Sequence, residues 1–154
     1  MIQRIQTIYL LLTAVAIFLM FLFPFAEMLT SNGQFLVLKF NGIYSAEALH
    51  AEIALNIWPL AILISVTFLI AIVTIFLFKN RIRQMRIAIF NLLLLVGLGL
   101  LTWYYLNQFS GVAEGSINIK FTVTMPAISV ILTYLAFKSI QKDEKLIRSV
   151  NRIR

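Results

Sequence analysis

The sequence predicts an all-α membrane protein, a bundle of four transmembrane helices with both termini in the cytoplasm. Three observations support this fold class. The chain has 154 residues, of which 61% are hydrophobic and only 12% are charged, whereas a soluble domain carries about 25% charged residues. Four apolar runs are long enough to cross a bilayer, and the basic residues lie almost entirely on one side of those runs.

The four apolar runs define the predicted spans, because crossing a bilayer takes about 20 mainly apolar residues. None of the runs has an ionisable Asp, Glu, Lys, Arg or His in its interior. The first run is longer than the apolar stretch of a secretory signal peptide and lacks an Ala-x-Ala cleavage site, so we expect it to be retained. We predict one membrane domain over residues 1–154, with spans over 5–25, 55–78, 87–106 and 121–137, outer loops over 26–54 and 107–120, and a tail over 138–154.

The distribution of Lys and Arg predicts the direction of the spans, because cytoplasmic loops carry an excess of these residues. Eleven of the 13 basic residues lie near the N-terminus, in the 79–86 loop or in the tail, and only Lys39 and Lys120 lie on the other side. Both termini are therefore expected in the cytoplasm. The chain has a net charge of +7, and its basic residues lie beside apolar segments. This position favours anionic lipid headgroups over nucleic acid as the partner.

The two outer loops contain strand patterns. Residues 34–40 favour a strand, and Asn41-Gly42 follows as a typical hairpin turn. From Ser45 the pattern becomes helical. The alternation over 116–121 predicts a half-buried strand, which we expect to pair with Phe35–Phe40 in a small β-sheet that caps the outer face. The alternative interpretation makes Ile117–Phe121 the first turn of the fourth helix.

The sequence offers little catalytic chemistry. It has no cysteine and one histidine, His50, which excludes disulfides and thiolate metal sites and a bis-histidine haem within one chain. His50 with Glu47 and Glu52 is more typical of a solvated helix surface than of a metal site. We predict no catalytic residues, no metal site and no cofactor.

Polar side chains within the spans allow two interpretations. Asn91 and Asn107 could line a polar conduit or contact a ligand, or they could form hydrogen bonds between helices, which we favour. The same two interpretations apply to the hydroxyl side chains of the spans, which are Thr13, Ser65, Thr67, Thr74, Thr102, Ser129 and Thr133.

The spacing of apolar and basic residues in the tail predicts an amphipathic C-terminal helix, which either continues the fourth span or bends onto the cytoplasmic surface. Asp143 falls on the apolar face of this helix. Its carboxylate either pairs with a base such as Arg4, Arg81 or Arg83, or contacts a protein partner. The candidate contacts for a partner or for lipid are Arg4, Asp143, Glu144, Arg148 and Arg152.

The two ends of the chain carry a family resemblance. The opening, Met-Ile-Gln-Arg-Ile-Gln-Thr-Ile-Tyr-Leu-Leu-Leu over 1–12, and the closing basic stretch over 142–154 resemble the domain of unknown function 4293 family. Its members are small four-span inner-membrane proteins of Gram-negative bacteria. The resemblance implies this topology and localisation, and it implies no activity.

We therefore expect an inner-membrane protein that acts as a non-catalytic accessory or scaffold subunit, through its outer cap and its basic cytoplasmic tail. The alternative is a carrier or channel for a small apolar or lipid molecule, and a weaker third reading is a lipid-modifying enzyme. The expected partners are the bilayer with its anionic headgroups, together with another membrane protein or a second copy of the chain, and no nucleic acid.

Overall fold

The computed structural model describes residues 3–30, 35–45, 57–112 and 115–151. This part of the chain is mostly helical and has four helices that are long and apolar enough to cross a membrane, together with a small antiparallel sheet, as predicted. The elements in chain order are α1 (Gln3–Leu22), β1 (Ala26–Thr30), β2 (Phe35–Lys39), β3 (Gly42–Ser45), α2 (Trp58–Phe76), α3 (Arg81–Val112), β4 (Gly115–Ile119) and α4 (Met125–Asn151). Short 3-10 turns over Leu77–Lys79 and Phe121–Thr124 precede α3 and α4.

The helix ends follow local chemistry. Helix α1 stops at Leu22, earlier than the predicted span, because Pro24 disfavours the helical conformation at the residue before it. Pro59 lies in the first turn of α2, where a missing N–H costs nothing. Ser45 ends β3, and the helix expected after it lies outside the described residues.

Each helix buries one narrow stripe of residues, which we call the inner seam. The seam positions are separated alternately by four and three residues, a repeat of about 3.5 that lets neighbouring helices pack side by side, and Ala14 and Ala16 of α1 are also buried. Helix α1 packs against α2 and α4, and α3 packs against the same two helices. The seam consists of Gln6, Leu10, Thr13, Ile17 and Met20 in α1, of Leu60, Ile64, Thr67, Ala71 and Thr74 in α2, of Gln84, Ala88, Asn91, Leu95, Leu98 and Thr102 in α3, and of Ser129, Thr133, Ala136, Ile140 and Asp143 in α4.

The sheet differs from the predicted one in its pairing. Its order is β3-β2-β1-β4, with antiparallel neighbours. Strand β1 was not predicted, and it lies between β2 and β4, so the predicted direct pairing of Phe35–Phe40 with Ile117–Phe121 is wrong. The hairpin joining β2 to β3 was predicted, but its two turn residues are Phe40 and Asn41. The alternative interpretation of 117–121 holds only for Phe121, which begins the turn before α4.

Phe25 joins the sheet to the helices. Its backbone N–H donates to the Leu38 carbonyl (2.8 Å), and its carbonyl accepts from the Lys120 N–H (2.9 Å). Its ring is fully buried in one apolar cluster with Ala26 and Met28 of β1 and with residues of all four helices. The sheet therefore shares a core with one end of the helices. We call this the sheet end, and we call the opposite end, where α3 begins with Arg81, the basic end.

Candidate functional site

Buried polar side chains of the described helices lie on the inner seam. Several recur seven residues apart, including Gln6 with Thr13 and Gln84 with Asn91. A seven-residue separation is two turns of a helix that follows the 3.5-residue repeat. The seam thus carries the polar groups of the helices inward, while the remaining helix faces expose mainly apolar side chains.

Most of the seam hydroxyls are satisfied within their own helix. Thr67, Thr74 and Thr102 each donate to the carbonyl four residues earlier, at 2.9, 2.6 and 2.8 Å. These hydroxyls therefore need no partner on another helix, contrary to the expectation of interhelical bonds. Thr13 also donates to the carbonyl four residues earlier, that of Tyr9 (2.9 Å), and its hydroxyl oxygen lies 3.5 Å from that of Thr133 across α1 and α4.

Asn91 and Ser129 have unused hydrogen-bonding capacity. They are 1% and 0% exposed, and neither the Asn91 amide atoms nor the Ser129 hydroxyl has a partner. A Cβ at Gly99 of α3 would lie 3.8 Å from Pro126 of α4. Measured along the helix axis at 1.5 Å per residue, Asn91 of α3 lies about 12 Å from this contact and Thr133 of α4 lies about 10 Å from it. Asn91 and Thr133 therefore lie at nearly the same depth in the bundle. A buried polar group that lacks a hydrogen-bond partner, as at Asn91 and Ser129, costs about 1–3 kcal/mol of stability. Asn107, by contrast, is exposed.

Two glutamine amides connect the helices at the basic end. The Gln6 Nε2 of α1 donates to the Oδ2 of Asp143 on α4, and both residues are buried. The Gln84 Nε2 of α3 donates to the Thr74 carbonyl of α2 at 3.1 Å. Each of these bonds therefore joins two helices at the basic end.

Asp143 was predicted to pair with a base such as Arg4, Arg81 or Arg83, or to contact a protein partner, and the pairing is wrong for two of the three bases named. Arg81 and Arg83 form no ion pair with it in the described contacts, and the side chain of Arg4 lies outside the description. The carboxylate accepts from the neutral Gln6 amide. A buried carboxylate needs a hydrogen-bond donor. Gln6, on the inner seam of α1, lies at the same depth in the bundle as Asp143 and supplies that donor.

Of the other predicted contact residues, the structure describes only some of the side chains. Glu144 is half-buried on α4. Arg148 lies within α4, but its side chain is outside the description, and Arg152 lies outside the described residues. Their roles as partner or lipid contacts remain predictions. Glu47, His50 and Glu52 also lie outside the described residues, and the described ranges hold no group of three potential metal ligands.

A cleft opens at the basic end between α1 and the junction of α2 with α3, and no sequence signal indicated it. Its volume is about 500 Å³. Polar groups at the helix starts line one part, and apolar side chains further along α1 line the rest. The lining residues are Gln6, Thr7, Ile8, Leu11, Leu12, Phe78, Arg81 and Gln84.

A second cleft, of about 420 Å³, lies at the sheet end and is bordered by Phe23, Phe121 and Met125 among others. An ion pair between Lys120 Nζ and Glu27 Oε2 (2.7 Å) lines it. Both side chains remain partly exposed, so the pair contributes at most about 1 kcal/mol to stability.

Comparison with known proteins identifies the family of the chain. No curated protein matches the chain. One family model matches residues 2–153, which is nearly the whole sequence and includes all four helices and the sheet. This confirms the resemblance carried by the two ends. The chain therefore belongs to the family described as domain of unknown function (DUF4293).

Proposed function

We propose that this protein is a non-catalytic accessory or scaffold subunit of the bacterial inner membrane, acting through its outer cap and its basic cytoplasmic tail. Four helices apolar enough to span support the membrane location, and helical spans favour the inner membrane because outer-membrane proteins are typically β-barrels. The excess of Lys and Arg at the basic end supports a cytoplasmic position for that end. The sheet then faces outward.

An apolar patch on the sheet carries this proposal. Leu29 of β1 and Phe35 of β2 lie directly opposite each other and are 48% and 40% exposed. Since side chains alternate between the two faces of a strand, they project away from the face that buries Met28 and Leu38. A cap made only to cover the helices has no need of an exposed aromatic–aliphatic pair there, whereas a protein contact does.

The length of α4 supports the cytoplasmic part of the proposal. The helix runs without a break from Met125 to Asn151. Its 27 residues span about 40 Å at 1.5 Å per residue, against a hydrocarbon thickness of about 30 Å. The last turns thus extend beyond the bilayer as a rigid, basic helix suited to contacting a partner or the headgroup layer.

Purification of the full-length protein from native membranes in a mild detergent tests this function. We expect a stoichiometric protein partner to co-purify with the wild type. The double variant Leu29→Asp/Phe35→Asp should lose it, because the loss of an interface hot spot costs about 2 kcal/mol or more, about 30-fold in affinity. The matched control is Asn41→Asp, an exposed change in the β2–β3 turn of the same sheet. A wild type without a partner, or a double variant that keeps it, would contradict the proposal.

A second candidate function is a carrier for an apolar or lipid molecule. The cleft at the basic end favours it, because its volume is within the range of small-molecule sites and its walls are mostly apolar. Mass spectrometry of the same purified protein separates the candidates, since a bound lipid without a protein partner supports the carrier.

A further inference from the structure

We propose that the cleft at the basic end is a binding site for one anionic phospholipid, with Arg81 holding the phosphate of its headgroup. This inference deepens the carrier candidate by naming its ligand class. It is also compatible with the accessory-subunit proposal, because a subunit can hold a resident lipid.

The lining of the cleft changes from polar to apolar along its length, as a lipid changes from headgroup to acyl chain. Gln6 and Thr7 lie in the early turns of α1, and Leu11 and Leu12 lie about 7 Å further along the helix axis at 1.5 Å per residue. Arg81 and Gln84, at the start of α3, border the polar part. One end can therefore receive a polar headgroup, while the other continues into an apolar wall.

Arg81 supplies the charge complementarity. Its side chain is half-buried, and it forms no ion pair with any residue that the structure describes. A guanidinium can donate two parallel hydrogen bonds to a phosphate. Helix α3 also begins at Arg81, and its dipole adds a partial positive charge at that point. A partly desolvated cation beside an apolar wall is well placed for a phosphate carried on an acyl chain.

The two amides of the cleft retain donors after their own contacts. Gln6 donates one N–H to Asp143, and Gln84 donates one N–H to the Thr74 carbonyl. Each side-chain amide has two N–H donors, so one remains on each. Asp143 does not line the cleft, and it accepts from Gln6, so it offers an anion no donor on that side. The phosphate therefore belongs on the Arg81 side of the cleft.

The apolar part of the cleft selects a lipid over a soluble anion. Ile8, Leu11 and Leu12 are 54%, 51% and 44% exposed, and they border the same cleft. A free phosphate or nucleotide leaves these side chains uncovered. An acyl chain covers them, and each buried CH₂ group contributes about 0.8 kcal/mol.

Native mass spectrometry of the full-length protein in nanodiscs of mixed phosphatidylglycerol and phosphatidylcholine tests the proposal. We expect one phosphatidylglycerol per chain in the wild type. Arg81→Gln should weaken its binding about tenfold or more, since a charge-assisted contact is lost. Arg83→Gln is the matched control, because it removes the same charge from an exposed side chain two residues away that does not line the cleft.

Several outcomes would overturn the proposal. Equal loss in the Arg81→Gln and Arg83→Gln variants would show a general charge effect, and equal retention of phosphatidylcholine would show ordinary surrounding lipid. Binding of inorganic phosphate in place of the lipid would show a soluble-anion site. A second variant, Leu12→Trp, narrows the apolar part without touching Arg81 and should also release the lipid. A protein that keeps its partner but holds no lipid would overturn this inference and leave the accessory-subunit proposal intact.

Discussion

Replacing Gln6 by leucine should lower the free energy of unfolding by about 2–3 kcal/mol, because the buried Asp143 carboxylate then loses its amide donor. Unfolding in a mixed-detergent titration, followed by circular dichroism, measures the change. The double variant Gln6→Leu/Asp143→Leu should be more stable than Gln6→Leu alone, since replacing both partners removes the unsatisfied group along with its bond.

Gln108→Leu is the control for this prediction. Gln108 also donates a side-chain bond, to the Tyr104 hydroxyl at 2.8 Å, but on the exposed surface. Its replacement should stay within about 0.5 kcal/mol of the wild type. A Gln6→Leu variant as stable as this control would mean that the contact between α1 and α4 does not hold the basic end together.

Replacing Phe25 by alanine should have the largest effect, a loss of about 3–5 kcal/mol, as for other fully buried aromatic side chains. Because Phe25 also carries backbone bonds to Leu38 and Lys120, amide hydrogen exchange should rise in β1, β2 and β4 together. Phe23→Ala is the matched control, since Phe23 is 55% exposed and should change stability by less than about 0.5 kcal/mol. Faster exchange confined to one strand would show that Phe25 does not couple the sheet to the helices.

The helices could be predicted because the property that defines them is local. A run of about 20 apolar residues is visible in any window of that length, and all four predicted spans fall on one helix each. Their ends were less well predicted. Helix α3 continues to Val112, into the predicted outer loop, because polar residues past the apolar run can remain helical once they leave the bilayer.

Strand β1 could not be predicted because its conformation depends on distant partners. Ala26–Thr30 follows span one directly and has no alternating apolar pattern of its own. It becomes a strand by pairing with β2 on one side and with β4, almost 90 residues away, on the other. The sequence pattern marks only the strands on either side, and it therefore predicts that these two strands pair directly.

The contact between Gln6 and Asp143 was missed for a related reason. An acid on an apolar face predicts a base or a protein partner, because opposite charges attract, whereas a neutral amide gives no comparable signal in the sequence. The seven-residue separation of Gln6 and Thr13 was available in the sequence. Read together with the same spacing of Gln84 and Asn91, it indicates that the polar residues share one inward face.

Labelling of single cysteines tests the orientation on which the proposed function depends. The chain has no cysteine of its own, so each introduced thiol is the only one. Asn41→Cys lies in the exposed turn of the sheet, and Lys142→Cys lies on an exposed position of α4. In intact spheroplasts, a membrane-impermeant maleimide should label Asn41→Cys at once and should label Lys142→Cys only after lysis. Labelling of Lys142→Cys before lysis, or protection of Asn41→Cys, would contradict the account.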